Sequence, residues 1–221
     1  MPTFKAIIKN NKFYFISSFV FFLLAAFFCL FYTRAESFYF LNTYHSPAAT
    51  NIFIFFTWLG DGLFCIMVAI ALFFLNRRYL SLLVLTSYLL SGLISQLLKY
   101  FIIEARPAVF LKESSYKYFI DAVTLHNYHG FPSGHTASAF ALATVLAVVI
   151  SNTIAGLMLL MLAVAVGYSR IYLGQHFLVD VLCGAIIGAL SAMLCFYLLN
   201  SQHHFFKKRF YYFTSNAREP L

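Results

Sequence analysis

The chain has 221 residues, 62% of them hydrophobic and only 10% charged, with a formal net charge of +8. A water-soluble domain of that length has too much surface for so few charges, so the composition excludes one and indicates a polytopic membrane protein. The basic residues gather in short segments between apolar runs and form no stripe on a polar domain, which excludes nucleic acid as a partner and ties them to membrane topology.

Lys5, Lys9 and Lys12 precede an apolar run from Phe13 to Tyr32. That run is too long and too bulky for the core of a signal peptide, and no small-residue cleavage site follows, so it reads as a retained first span. After Pro47, Ala48 to Trp58 reads as a helix lying at the interface, with Trp58 at headgroup level. Asp61 opens a second span running to about Leu75 and reads as a favourable acid at a helix start. Asn76, Arg77 and Arg78 form a tight basic turn before a third span, Tyr79 to Leu98, that ends at Lys99. A long loop from Phe101 to Phe131 follows, and loops of this length tend to be functional; its 108–131 stretch could act as a lid. It holds Arg106-Pro107, Lys112, Lys117, Asp121, His126 and His129. The two histidines read as surface residues; the two lysines read as solvated charges or as contacts to a second phosphate or sugar.

A fourth span runs from Gly134 to Ile150, and a turn at Ser151-Asn152 leads into a fifth, Thr153 to Tyr168. The polar stretch Ser169 to Asp180 comes next, and a sixth span continues to about Leu199. Gly184 and Gly188, four apart, offer a close-packing face to another helix, within the chain or between chains. The tail holds His203, His204, Lys207, Lys208, Arg209 and Arg218 and suits an anionic lipid surface. Cys29, Cys65, Cys183 and Cys195 lie inside apolar runs with neither metal spacing nor a disulfide pattern. The expectation is one all-α domain over 1–221, six transmembrane helices with an interfacial helix before the second. Six spans put both termini on one side, where nine of the fifteen Lys and Arg fall. The positive-inside rule then places the termini in the cytoplasm of a bacterial-type inner membrane and the long loop on the periplasmic face.

Three charged patches fall at outward ends of these spans, and so on one side of the membrane. Lys99 and Arg106 are seven apart, two helical turns, and could face one pocket. Pro132-Ser133-Gly134-His135 opens the fourth span, where Ser133 is a natural N-cap and Gly134 lets an anion reach the free N–H groups of the first turn. Arg170, His176 and Asp180 form the third patch. If the segment after Gly174 is helical, His176 and Asp180 share a face, and the carboxylate can hold one imidazole nitrogen while the other stays nucleophilic. Lys99, Arg106 and Arg170 with helix-start N–H groups describe a phosphate cradle. His176 is then placed to attack phosphorus, and His135 to protonate the departing oxygen and later activate water. No carboxylate, Cys or His cluster has metal-ligand spacing, so no metal or other cofactor is expected.

These residues carry a resemblance. Lys99 with Arg106-Pro107, Pro132 to His135, and Ser169-Arg170 with His176 and Asp180 match, in order and at every position, the three motifs of the type 2 phosphatidic acid phosphatase (PAP2) superfamily of membrane lipid phosphatases. The resemblance covers roughly residues 50–200. It implies a metal-independent hydrolase with His176 as nucleophile, Asp180 as its partner and His135 as acid and base. It implies phosphate binding by Lys99, Arg106, Ser133, Gly134 and Arg170. The substrates in view are lipid A, undecaprenyl pyrophosphate, phosphatidylglycerophosphate and phosphatidic acid, with a lean towards the first two. A lipid phosphotransferase using the same phosphohistidine is the alternative. A transporter would place its charges near the membrane midplane rather than at span ends, and a haloperoxidase would bring a large soluble body.

Overall fold

The computed structural model describes residues 4–112, 116 and 126–201, and the regular structure among them is helical throughout. The helices are α1 (Phe4–Asn10), α2 (Lys12–Phe31), α3 (Arg34–Leu41), α4 (Pro47–Leu59), α5 (Gly62–Phe74), α6 (Arg78–Phe101), α7 (Pro107–Phe110), α8 (Gly134–Ile150), α9 (Thr153–Tyr172) and α10 (Leu178–Ser201). The basic, aromatic tail expected beyond α10 lies outside the described residues, as do Lys117 and Asp121.

The bundle is built around α8. It is apolar on every side, which is the pattern of a helix buried all round, and Phe140, Val145 and its alanines are enclosed by α6, α9 and α10. In lipid the drive for helices to associate is close packing more than water exclusion, so small residues at the contacts matter. Gly184 and Gly188 of α10 show this directly. A Cβ on Gly184 would overlap the Ser133 carbonyl, and one on Gly188 would overlap the Ala137 carbonyl and crowd the Ala141 amide. The glycine face left open by the sequence therefore docks inside the chain, against the first turns of α8. Replacing Gly188 by leucine should force the two helices apart at a cost of about 1–3 kcal/mol or more. Thermal unfolding in detergent measures this, and an unchanged midpoint would contradict so tight a contact.

Polarity runs inside out, as expected in lipid. Ser87, Ser91 and Ser95 form a buried stripe along α6 at a spacing of four, while Leu24, Phe74, Met158 and Leu190 face outward. On α2, Tyr14 is buried and shares a hydrogen bond of 2.8 Å with Thr144 of α8, and Phe21 stacks on Phe140. The first apolar run is thus keyed into the bundle by specific contacts. The turn at Ser151-Asn152 appears as predicted: Ser151 takes a left-handed conformation after Ile150, and the Asn152 side chain accepts from the Ala155 amide to start α9.

The span count differs from the expectation. Four helices (α2, α6, α9 and α10) are long and apolar enough to cross a membrane, and α4 with α5 passes the same test only as a pair bent by 55°. Alone, the 13 residues of α5 reach about 20 Å against a hydrocarbon core of about 30 Å. The helix assigned to the interface, α4, is joined to α5 across this bend. The break has a local cause. Gly60 is pressed against Val166 and the His135 carbonyl, and Asp61 starts a new helix by accepting from the Leu63 amide at 2.8 Å. The helix α8, at 17 residues, falls short of the length test as well.

Candidate active site

One end of the bundle collects the polar residues. Ser133 is fully buried and caps α8, its hydroxyl oxygen accepting from the Thr136 amide at 3.4 Å and lying 2.8 Å from the Thr136 hydroxyl. The Ser133 amide donates to the Asp180 carbonyl at 2.9 Å, tying the start of α8 to the start of α10. A Cβ on Gly134 would meet no described atom within 4 Å, so the first turn of α8 opens onto free space where an anion could approach the backbone.

The α9–α10 corner carries the third patch, though not on one helical face. The helix α10 begins at Leu178, so His176 lies before it, in a turn that Gly174 makes possible with φ 66°. The Gln175 and His176 amides both donate to the Arg170 carbonyl, at 2.9 and 3.1 Å. Asp180 reaches back as a cap, its Oδ2 accepting from the Phe177 amide at 2.9 Å and lying 3.4 Å from Nδ1 of His176. Both side chains are 2% exposed. The pairing expected from helical spacing is thus made by a capping turn. At 3.4 Å it is an electrostatic contact longer than a good hydrogen bond. Burial, and then the guanidinium groups of Arg106 and Arg170, hold His176 well below the usual imidazole range. The ring is therefore neutral near pH 7.

Lys99 and Arg106 also meet for a reason other than the predicted one. The helix α6 ends at Phe101, and Arg106 sits beyond it, immediately before Pro107 opens α7. The returning loop brings them together. Lys99 Nζ donates to the His129 carbonyl at 3.2 Å, and Nδ1 of His129 lies 2.9 Å from the Lys99 carbonyl. Arg106 donates from Nε to the Tyr128 carbonyl at 3.2 Å and from Nη1 to the Gln175 carbonyl and Oε1, both at 3.3 Å. Its Nη1 also stands 3.5 Å from Nε2 of His176. Arg170 donates from Nη1 to the Thr57 hydroxyl and from Nη2 to Gln175 Oε1 at 3.1 Å. Its Nε is buried with no acceptor among the described residues.

The structure brings Lys99, Arg106, Ser133, Gly134, His135, Arg170, His176 and Asp180 to one place, and adds four residues that sequence reasoning passed over or read differently. Gln175 is 2% exposed and bridges both arginines through one oxygen; its signal was a lone polar residue beside His176. Thr57 anchors Arg170 from α4, with no signal in the sequence. His129 was read as a surface histidine, and is exposed, yet its backbone at φ 58° aims a carbonyl at Lys99. Asp61 caps α5 as read, and its Oδ2 also lies 3.9 Å from Nε2 of His135. His126 and Lys112 are exposed. Among the described residues no three His, Cys, Asp or Glu side chains gather as metal ligands would. Three cations, a helix start and a neutral buried imidazole can hold a phosphoryl group and attack it.

Comparisons with known proteins fit this geometry. A family model described as the PAP2 superfamily matches residues 80–203. The chain is 31% identical over 144 residues to phosphatidylglycerophosphatase B of Bacillus subtilis, a stretch covering 58% of this chain and 63% of that one. It is 35% identical over 69 residues to a lipid A 4'-phosphatase of Bacteroides thetaiotaomicron, covering 31% of each. Over a stretch of the same length it is 41% identical to the bacitracin transport permease protein BcrC of Bacillus licheniformis, or 31% of this chain and 33% of that one. The matched stretches therefore span between 31% and 63% of the length of these relatives. Among solved structures, Aquifex aeolicus LpxE superposes with a TM-score of 0.64 at 30% identity, covering 75% of this chain and 96% of that one. A phosphatidylglycerolphosphate phosphatase from Bacillus subtilis shares the fold, with a TM-score of 0.62 at 24% identity, covering 84% and 96%.

Proposed function

The chain belongs to the PAP2 superfamily, and from that premise we propose that it is an integral-membrane phosphatase that removes phosphate from a membrane lipid. The observation that carries this reading is the buried cluster of Arg106 and Arg170 around His176, with Arg170 Nε lacking an acceptor among the described residues. A buried guanidinium donor left unpaired costs about 1–3 kcal/mol or more, a cost that a phosphate oxygen would remove.

In the proposed reaction, Nε2 of His176 forms a bond to phosphorus as the bond from phosphorus to the lipid oxygen breaks. His135 supplies the proton to that oxygen. Lys99, Arg106, Arg170 and the Ser133–Gly134 turn hold the equatorial oxygens, and Asp180 supports the charge that develops on His176. His135 then takes a proton from water, whose oxygen replaces the imidazole nitrogen on phosphorus and frees phosphate. No metal is required in this scheme.

The substrate is an amphiphile whose tails stay in lipid while its phosphate enters the cradle. The relatives named for lipid A and for phosphatidylglycerophosphate support that class. We place lipid A and the undecaprenyl carrier ahead of phosphatidylglycerophosphate and phosphatidic acid. The proposed topology has six crossings, with α4 and α5 forming one bent crossing and α8 a buried one. Both termini are then cytoplasmic and the site opens at the periplasmic leaflet of an inner membrane, which agrees with the excess of Lys and Arg on the other side.

The test is to incubate the purified protein in detergent with these four lipids and rank phosphate release. Release from at least one is expected, unchanged by a chelator. Vanadate, which resembles the five-coordinate transition state, should inhibit at about a hundredth of the phosphate concentration that does. No release from any lipid, or indifference to vanadate, would overturn the reading.

A further inference from the structure

The corner between α4 and α5 touches the site at three points that none of the three motifs includes. Thr57 accepts from Nη1 of Arg170, Gly60 lies against the His135 carbonyl with no room for a side chain, and Asp61 stands beside the His135 ring. The two oxygens of Asp61 have separate partners. Oδ1 accepts from the Leu63 amide at 2.8 Å to cap α5, and Oδ2 lies 3.9 Å from Nε2 of His135.

Capping does not call for a charge. Asn and Ser serve at that position about as well as Asp, so the carboxylate has a second use to account for. The groups facing His135 supply one. Arg170 from α9, Lys99 from α6, Arg106 from the loop and His176 from the α9–α10 turn all act on its ring. The cations among them repel a positive charge placed on that ring, while the Asp61 carboxylate, 3.9 Å away, attracts it. At 3.9 Å the carboxylate acts on the ring's charge without holding its proton in a hydrogen bond, so the proton stays available to a leaving oxygen.

We propose that Asp61 is a positioning residue for proton transfer, holding the His135 ring in place opposite the phosphate cradle and offsetting the cations around it, so that Thr57 to Asp61 forms a fourth segment of the site. This inference rests on the phosphatase reading and on His135 as the acid.

The experiment compares full pH profiles of kcat/KM for the wild type, Asp61→Asn and Asp61→Ser, both of which keep a capping side chain. With the cap intact, thermal unfolding should stay near the wild-type midpoint. The alkaline limb of the profile should move to lower pH by about one unit, with turnover at pH 7 down about tenfold. A merely structural role for Asp61 would lower activity evenly, without moving the limb. Profiles that superimpose on the wild type in shape would overturn the proposal. His135→Gln in the same assay separates the two claims. If His135→Gln loses turnover while the Asp61 variants match the wild type, Asp61 has no such role and the reading of the site stands. If His135→Gln turns over normally, His135 is not the acid, and both claims fall.

Discussion

Replacing His176 by alanine is expected to lower phosphate release by about 10⁴-fold or more, on the scale seen when a covalent nucleophile is removed. The ring is buried between Asp180 and Arg106, and its Nε2 is the nitrogen that faces the guanidinium. Nη1 of Arg106 stands 3.5 Å from that nitrogen in the resting site, and a phosphate drawing on Arg106 would leave Nε2 clear for attack. The truncation leaves a small cavity in a turn otherwise held by backbone hydrogen bonds to the Arg170 carbonyl, so the variant should still extract as folded protein. Stopped-reaction assays on wild type with labelled lipid should trap an acid-labile phosphoprotein, and the alanine variant should trap none. Release at the wild-type rate would remove His176 from the mechanism. The pH dependence has a definite sign. Because His176 is held well below the ordinary imidazole value, its neutral, attacking form persists as pH falls through 6.5. Loss of activity through its protonation should therefore appear only well below that pH, and an acid limb at 6.5 that tracks this ring would contradict the burial that sets it.

Arg170→Lys should cost about 10²–10³-fold in kcat, comparable to losing a well-placed donor to a developing oxyanion. Arg170 is 6% exposed and already uses Nη1 on Thr57 and Nη2 on Gln175. That leaves Nε as a buried donor with no acceptor among the described residues, available to an anion. A lysine carries one ammonium on a flexible stem and cannot bind both supports and the phosphate at once. Lys99 and Arg106 would still attract the substrate, so the loss should fall on kcat more than on KM. A lysine variant with near-normal kcat would show that the planar fork is dispensable. Loss confined to KM would assign Arg170 to ground-state binding alone.

Helix ends and small-residue contacts were legible because their causes are local. The Ser133 cap, the Ser151-Asn152 turn and the Gly184-Gly188 face each depend on a few neighbouring residues and on helical periodicity. Composition alone settled the membrane class. The same reasoning reached the right partners by the wrong route at two places. Lys99 and Arg106 do not share a helix, and His176 lies outside the one that carries Asp180. In both cases a loop or capping turn does what helical spacing was expected to do, because α6 stops at Phe101, before Arg106 is reached, and Gly174 ends α9 where periodicity would have continued it.

By itself, then, the sequence determined an all-helical membrane protein and singled out eight residues, seven of them polar, at or beside helix ends. Chain-local rules of capping, hydropathy and spacing suffice for that. Tertiary structure alone decided what surrounds them. Thr57 meets Arg170 across 113 residues, Gln175 bridges Arg106 and Arg170, and His129 turns a carbonyl towards Lys99. The bend between α4 and α5 sets Asp61 beside His135. Such contacts follow from which helices pack together and where each one breaks, and that is a property of the assembled bundle rather than of any short stretch of chain.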